Sequence, residues 1–305
     1  MTPSWRIGRE AAEPPRTPVL FVNPRSGGGA AARARVAERA REQGIEVVEL
    51  GGDQDLRGLV DQAVADGADA LGMASGDGSL GVVAAAACAH ELPFVCIPAG
   101  TRNHFARDLG LDPGDPAGGL EAFGDGVEVR IDLGEVNGRP FLNLVSLGVY
   151  GEAVQRSGYR DAKARTLLET AHAVLGPTGA VPELNLVDDR GAAHRHPLIV
   201  LVSNNPYSLE RPMARGARPR LDGGRLGIIV IDAPAGPRRP PGRAWNARSL
   251  EVDAPSAVHA GVDGEAIELV PPLRFSIRPR ALRVRVPRLG SARRRPRRSA
   301  RARRR

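Results

Sequence analysis

The chain reads as two domains of different class sharing a cleft, an α/β domain with a parallel sheet followed by a β-rich domain. Three observations predict this. Its 305 residues exceed the usual size of one compact domain. Short apolar runs alternate with helix-forming stretches as far as about residue 124. After that point the pattern changes to strand-like runs separated by turn residues. The expected boundaries are an extension over 1–17, the α/β domain over 18–130 and the β-rich domain over 131–277.

The elements follow in order. Residues 18–23 are a short buried strand, and Pro-Arg-Ser-Gly-Gly-Gly then leads into a helix over 30–43, closed by Gly44. Strand 45–50, helix 56–65 and strand 70–74 repeat the unit. Ser75-Gly-Asp-Gly-Ser79 opens an alanine-rich helix to about His90, and strand 94–97 runs into Pro98-Ala-Gly-Thr-Arg-Asn-His-Phe-Ala-Arg107. In the second part, strands 127–133, 134–136 and 141–147 are expected, with Asn137-Gly138 as a hairpin turn. A helix over 161–175 interrupts the series. Further strands are expected at 183–187, 198–203, 226–231, 247–252, 257–262, 267–269 and 273–277, with a Pro/Arg-rich loop over 234–241.

Composition bounds the function classes. The chain is 42% hydrophobic but only 4% aromatic, so its core must be built from Ala, Val, Leu and Ile. No apolar run approaches the roughly 20 residues needed to cross a bilayer. Residues 1–17, with charges among prolines and no apolar stretch, read as disordered, and a cytoplasmic location is expected. Cys88 and Cys96 read as small buried residues. The net charge of +8 resides in a tail: nine arginines lie between Arg293 and Arg305 with no acid, leaving −1 for the rest of the chain. Residues 291–305 cannot bury a core and read as disordered. The tail is either a solvated extension, an attractor for anionic lipid headgroups at an inner membrane face, or a salt-sensitive polyanion contact. No aromatic residue interleaves its arginines, which removes the stacking platform that nucleic-acid binding uses.

Three glycine turns follow successive strands, at the carboxyl edge where open parallel sheets bind ligands. Their N–H groups and the helix N-termini behind them suit a phosphate, although each turn alone is equally a tight connection. Neither the terminal Gly-Lys-Ser/Thr of the P-loop nor the dinucleotide fingerprint is met. Asp77, between two glycines, either faces a Mg²⁺–nucleotide complex or caps a helix. Thr101, Asn103 and His104 stand at a helix start, where Asn or Thr is equally a simple cap. Val262-Asp-Gly-Glu265 reads on spacing alone as a hairpin turn.

Seven segments in order resemble the diacylglycerol kinase catalytic family, which includes sphingosine kinases and bacterial lipid kinases. They are Val22-Asn-Pro-Arg-Ser-Gly-Gly28, Ser75-Gly-Asp-Gly-Ser-Leu80, the stretch from Pro98 to Arg107, Ile131-Asp-Leu-Gly-Glu-Val-Asn137, Phe141-Leu-Asn-Leu-Val-Ser-Leu-Gly148, Ser203-Asn-Asn-Pro-Tyr207 and Asp263-Gly-Glu265. The resemblance spans about 18–290. It implies an ATP-binding first domain, an antiparallel β-sandwich-like second domain, a lipid hydroxyl entering the cleft between them, and a strand over 278–290 returning to the first domain. By position it assigns nucleotide contacts to Asn23, Pro24, Arg25, Ser26 and Gly27, to Ser75, Gly76, Asp77, Gly78 and Ser79, and to Thr101 and Asn103. It assigns Mg²⁺ ligation to Asp77 and Asp132, and the proton-accepting role to Glu265 supported by Asp263. The chain departs from the family pattern in places. Ser75 and Ser79 replace a glycine and a threonine. His104 replaces an aspartate, removing one carboxylate. A threonine that often follows the second strand is missing around Leu50-Gly-Gly52. Gly223 stands where a structural Mg²⁺ site uses an aspartate, so either Asp222 substitutes or that site is lost. Two other readings are a related NAD-kinase-like enzyme acting on a soluble substrate and a non-catalytic nucleotide- or polyanion-binding protein.

Overall fold

The computed structural model describes residues 8–52, 54–148, 183–195, 197–208, 218–232 and 242–288. The helix expected over 161–175, the loop over 234–241 and the arginine tail lie outside the described residues.

A parallel sheet forms the first half. Strands β2 (Pro18–Val22), β3 (Glu46–Glu49), β4 (Ala70–Ser75) and β5 (Phe94–Pro98) lie in the order β5-β4-β2-β3. Both faces are covered, so β2, β4 and β5 are buried at consecutive positions rather than at alternate ones, whereas the edge strand β3 exposes Glu46 and Glu49. Val19 and Phe21 of β2 face Val60 of helix α3 (Leu56–Ala65), Leu80, Val83 and Ala87 of α4 (Asp77–Ala89), and Phe105 of α5 (His104–Asp108). On the opposite face, Leu20 and Val22 meet Ala31 of α1 (Ala30–Arg33), Val36 and Ala40 of α2 (Val36–Glu42), and Leu120 and Phe123 of a 3-10 segment. Each large side chain buried this way contributes roughly 2 kcal/mol.

Two long strands join the halves. β6 (Gly126–Val136) and β17 (Leu273–Pro287) pair antiparallel from Val136 opposite Phe275 to Gly126 opposite Pro287, with an irregularity between Arg278 and Leu282. The C-terminal part of β17 adds parallel to β5, whereas its first residues pair with β14 (Ser249–Asp253). A second, antiparallel sheet has the order β13-β12-β11-β8-β15-β16, comprising Gly242–Ala247, Leu226–Asp232, Pro197–Asn204, Leu144–Gly148, Val258–Val262 and Glu265–Leu269. Its Val145, Val200, Val202, Ile228 and Val230 pack on Phe141, Leu250, Val252, Leu273 and Phe275 of the long sheet. The second half is therefore a sandwich that shares strands with the α/β half, and β6 and β17 run unbroken through residues 130 and 277.

Four expectations are corrected. From Gly8 onward the extension is ordered: β1 (Glu10–Ala11) pairs with the edge of β6, and the Glu13 carbonyl accepts from the buried Arg285 guanidinium at 2.9 Å. An open strand edge and a buried cation both need partners, and this segment supplies them. The helix over 30–43 is two helices broken at Arg35 (φ 52°), and α2 then packs Val36, Ala37 and Ala40 on the sheet. The strand over 141–147 is β7 (Arg139–Phe141) followed by β8, interrupted because the N–H groups of Leu142 and Asn143 turn to Asp263. The strand over 247–252 is likewise divided at Arg248, whose N–H donates to Asp189. Asn137 and Gly138 both have positive φ and form the expected tight hairpin turn. No helix among the described residues is long and apolar enough to cross a membrane.

Candidate active site

Three turns meet at the carboxyl edge of the parallel sheet, and glycine is what lets them touch. In the first, Asn23 Oδ1 accepts the Arg25 N–H at 3.1 Å, and Gly27, Gly28 and Gly29 all lie in the left-handed region. A Cβ on Gly27 would sit 2.4 Å from the Ala99 carbonyl oxygen, and one on Gly100 would sit 2.3 Å from Gly76 Cα. Ser26 Oγ accepts the Gly76 N–H at 2.8 Å, tying the first turn to the second. The N–H groups at the start of α4 have no acceptor within the helix, and this 13-residue helix directs its positive end at the same point. Pro24 and Arg25 lie on the rim, Arg25 exposed, as is Thr101. Ser75 is buried with its hydroxyl on the Gly76 carbonyl.

Asn103 stands at the N-cap position of α5 without capping it by its side chain: Oδ1 accepts the Gly100 N–H and Nδ2 donates to the Gly100 carbonyl, each at 2.8 Å. The cap comes from Asp77, whose carboxylate accepts the N–H of His104 at 3.2 Å and of Phe105 at 3.1 Å. Asp77 thus caps the next helix along, and His104 stands exposed beside it.

Asp263 and Gly264, with φ of 50° and 90°, form the two-residue turn between β15 and β16, so the hairpin reading holds. The same turn packs on the N-terminal part of α4, with Asp263 beside Gly81 and the stem of Glu265 beside Gly78. A Cβ on Gly81 would lie 3.3 Å from Asp263 Oδ2, and one on Gly78 would lie 3.8 Å from Glu265 Cγ. Asp263 is buried and accepts the N–H groups of Leu142 at 2.7 Å, Asn143 at 2.7 Å and Leu144 at 3.1 Å. Burial pushes its pKa from the ordinary 3.8 up to about 6; the three N–H donors oppose the rise and the Asp77 charge adds to it. Glu265 remains part-exposed and pairs with Arg139 of β7 at 2.7 Å.

The raised value of Asp263 has a definite sign. The native protein holds this proton more tightly than the unfolded chain, so the stability contribution is complete below about pH 4 and is lost as pH rises through about 6. Unfolding midpoints of wild type and Asp263→Asn, followed from pH 4 to pH 8, are expected to diverge in favour of the wild type as pH falls below about 6. A constant difference across that range would overturn the assignment.

Asp132 and Asp222 do not fit the expected cation site. Asp132 is fully buried, and its carboxylate accepts from the Arg280 N–H at 2.8 Å, the Gly224 N–H at 2.6 Å and the Asn205 amide at 3.0 Å. These donors already compensate the charge. Asp222 pairs with Arg220 at 3.1 Å. A Cβ on Gly223 would lie 2.7 Å from Asn205 Oδ1, so an aspartate there would displace the amide that now binds Asp132. No group of three His, Cys, Asp or Glu side chains among the described residues is arranged to hold a metal. Asp77 retains lone pairs beyond the N–H groups of His104 and Phe105 and the side-chain amide of Asn143, and fits a hydrated cation carried in by a nucleotide. No hydrogen bond joins Asp77 to Asp132 directly.

The linkage between them uses residues that sequence reasoning gave no role. Asn143 donates its amide to Asp77 at 3.4 Å and accepts from Arg218 at 3.0 Å; Asn204 donates to the Asp132 carbonyl at 2.9 Å. Arg218 forms an ion pair with Asp108 at 2.7 Å. Asn143 and Asn204 lie within segments that resemble the family, which was the only signal. Arg218 and Asp108 are 110 positions apart and carried none.

Residues 17–136 match the family described as the diacylglycerol kinase catalytic domain. A probable lipid kinase YegS-like protein of Pseudomonas aeruginosa is 31% identical over 291 residues, covering 88% of this chain and 94% of that protein. A diacylglycerol kinase of Mycobacterium tuberculosis is 39% identical over 120 residues, 38% of this chain and 39% of that protein. The crystal structure of a putative diacylglycerol kinase from Bacillus anthracis superposes with a TM-score of 0.66 at 17% identity, covering 88% of this chain and 96% of that one.

Proposed function

Because the chain belongs to the lipid-kinase family built on the diacylglycerol kinase catalytic domain, and is thus a phosphotransferase of the kinase class, we propose that it transfers the γ-phosphoryl group of ATP to the hydroxyl of a lipid. The observation that carries this reading is the approach of the Asp263-Gly264-Glu265 turn to the first turn of α4, beside Asp77. A proton acceptor and a phosphate-binding helix terminus then share one point. Glu265, part-exposed and steered by Arg139, takes the proton of the attacking hydroxyl. Asp263 holds the backbone of residues 142–144 and so fixes the wall opposite the turns. The N–H groups of the Ser26–Gly28 turn and of the start of α4 receive the phosphates, with Ser26, Gly76 and Gly100 keeping the turns in register. Bound Mg²⁺–ATP supplies the phosphoryl group and the charge that neutralises it. Asp77 would hold the cation while capping α5.

The reaction is assigned to a membrane surface on the cytoplasmic side. Nine arginines between 293 and 305 favour anionic lipid at about 1 kcal/mol per residue near the surface. Incubation of the protein with Mg²⁺, labelled ATP and vesicles carrying diacylglycerol, sphingoid or prenol lipids is expected to label one lipid class, with vesicle binding that weakens as salt rises. Label on no lipid, despite ATP binding by calorimetry, rejects the lipid acceptor in favour of a soluble substrate or a non-catalytic role. Salt-insensitive vesicle binding rejects the role of the tail.

A further inference from the structure

The geometry points to Arg218, with its buried partner Asp108, as a positioning residue that sets Asn143 between the two carboxylates of the catalytic cleft. This inference rests on the phosphoryl-transfer reading above. Arg218 and Asp108 side chains are 0% and 3% exposed. The guanidinium donates from Nε to Asp108 Oδ2 at 2.7 Å, from Nη1 to the carbonyls of Leu142 at 2.6 Å and Asn204 at 2.7 Å, and from Nη2 to Asn143 Oδ1 at 3.0 Å. Its backbone N–H also donates to Asp108 Oδ1 at 3.1 Å, and the Tyr207 ring lies 5.9 Å away.

The chemistry of the guanidinium decides what Asn143 can do. Arginine has donors and no acceptor, so the face of the Asn143 amide turned to it must be the oxygen. The amide nitrogen is then directed at Asp77 Oδ1, 3.4 Å away, while the Asn143 backbone N–H is given to Asp263 Oδ1 at 2.7 Å. An inverted amide would present oxygen to the Asp77 carboxylate and repel it. Asp108 is the last residue of α5, whose first N–H groups are capped by Asp77. One guanidinium therefore fixes the far end of α5, the break between β7 and β8, and the turn after β11. All three bear on the distance between the nucleotide-side Asp77 and the acceptor-side Asp263. A fork of donors in fixed geometry does this; a lysine, with a point charge on a flexible stem, does not.

Two variants separate positioning from simple stability. Arg218→Met combined with Asp108→Leu removes both charges together and so leaves no buried charge without its counterion. The Asn204 carbonyl and Asn143 Oδ1 lose a donor, so its thermal midpoint is expected to fall. In the folded variant ATP affinity by calorimetry is expected to stay within about threefold while kcat falls roughly 10- to 100-fold with little change in KM for ATP. A kcat within about threefold of wild type in the folded double variant, whatever its midpoint, would reduce Arg218 to a structural role and overturn the inference. Should the double variant fail to fold, Asn143→Asp answers alone. It keeps an acceptor facing Arg218 and turns a carboxylate oxygen on Asp77 in place of the amide donor, so kcat is expected to drop roughly 10-fold or more in protein that folds and still binds ATP by calorimetry. Wild-type kcat in Asn143→Asp also overturns the inference. A wild type that phosphorylates no lipid defeats the underlying reading, an outcome distinct from an active wild type whose variants match it.

Discussion

Glu265→Gln is expected to lower the rate of lipid phosphorylation by roughly 10²- to 10⁴-fold while leaving ATP affinity within about threefold of wild type. Glutamine preserves the length and shape of the side chain and removes its ability to take a proton. Loss of the charged partner of Arg139 adds little to the effect on folding, because the two side chains are 39% and 45% exposed and such pairs contribute at most about 1 kcal/mol. The measurement is an initial rate with labelled ATP on lipid vesicles, paired with calorimetric ATP binding to the same preparation. A rate within about threefold of wild type would remove Glu265 from the role of proton acceptor.

Gly100→Ala is expected to weaken ATP binding by at least about 100-fold and to destabilise the protein by about 1–3 kcal/mol. The added methyl would lie 2.3 Å from Gly76 Cα and 3.1 Å from the Gly76 nitrogen. No side-chain rotation relieves a clash with backbone, so the second and third turns must separate. That separation also breaks the bond from the Gly76 N–H to Ser26 Oγ, and with it the junction of all three turns. Gly28→Ala is the comparison: it has φ of 65° but nothing within 4 Å of the new methyl. Strain at Gly28 is limited to the left-handed backbone, about 1–2 kcal/mol, and ATP affinity is expected to change far less than in Gly100→Ala. Equal ATP affinity in the two variants would show that backbone contact between the turns is not what builds the site.

The sequence by itself determined the α/β class, the strand-turn-helix order and the three glycine turns. Those features are local: apolar runs, helix formers and glycines act within a few residues of where they stand. It also singled out Asp77, an acid between two glycines in a turn poor for packing, whereas Asp263 and Glu265 read on spacing alone as a hairpin turn and stood out only through the family resemblance. Where a side chain points depends on what arrives from elsewhere, and there the tertiary structure decided. Asn103 closes its own turn because Gly100 lies beside its amide. Asp132 is surrounded by donors from residues 205, 224 and 280, so a carboxylate that resembled a metal ligand is instead held by the chain itself. Residues 8–17 are ordered because the edge of β6 and the Arg285 guanidinium need partners that a linear reading does not supply. The pairing of Arg218 with Asp108 across 110 positions has no local trace, since a buried ion pair is specified only by the fold that removes both charges from water.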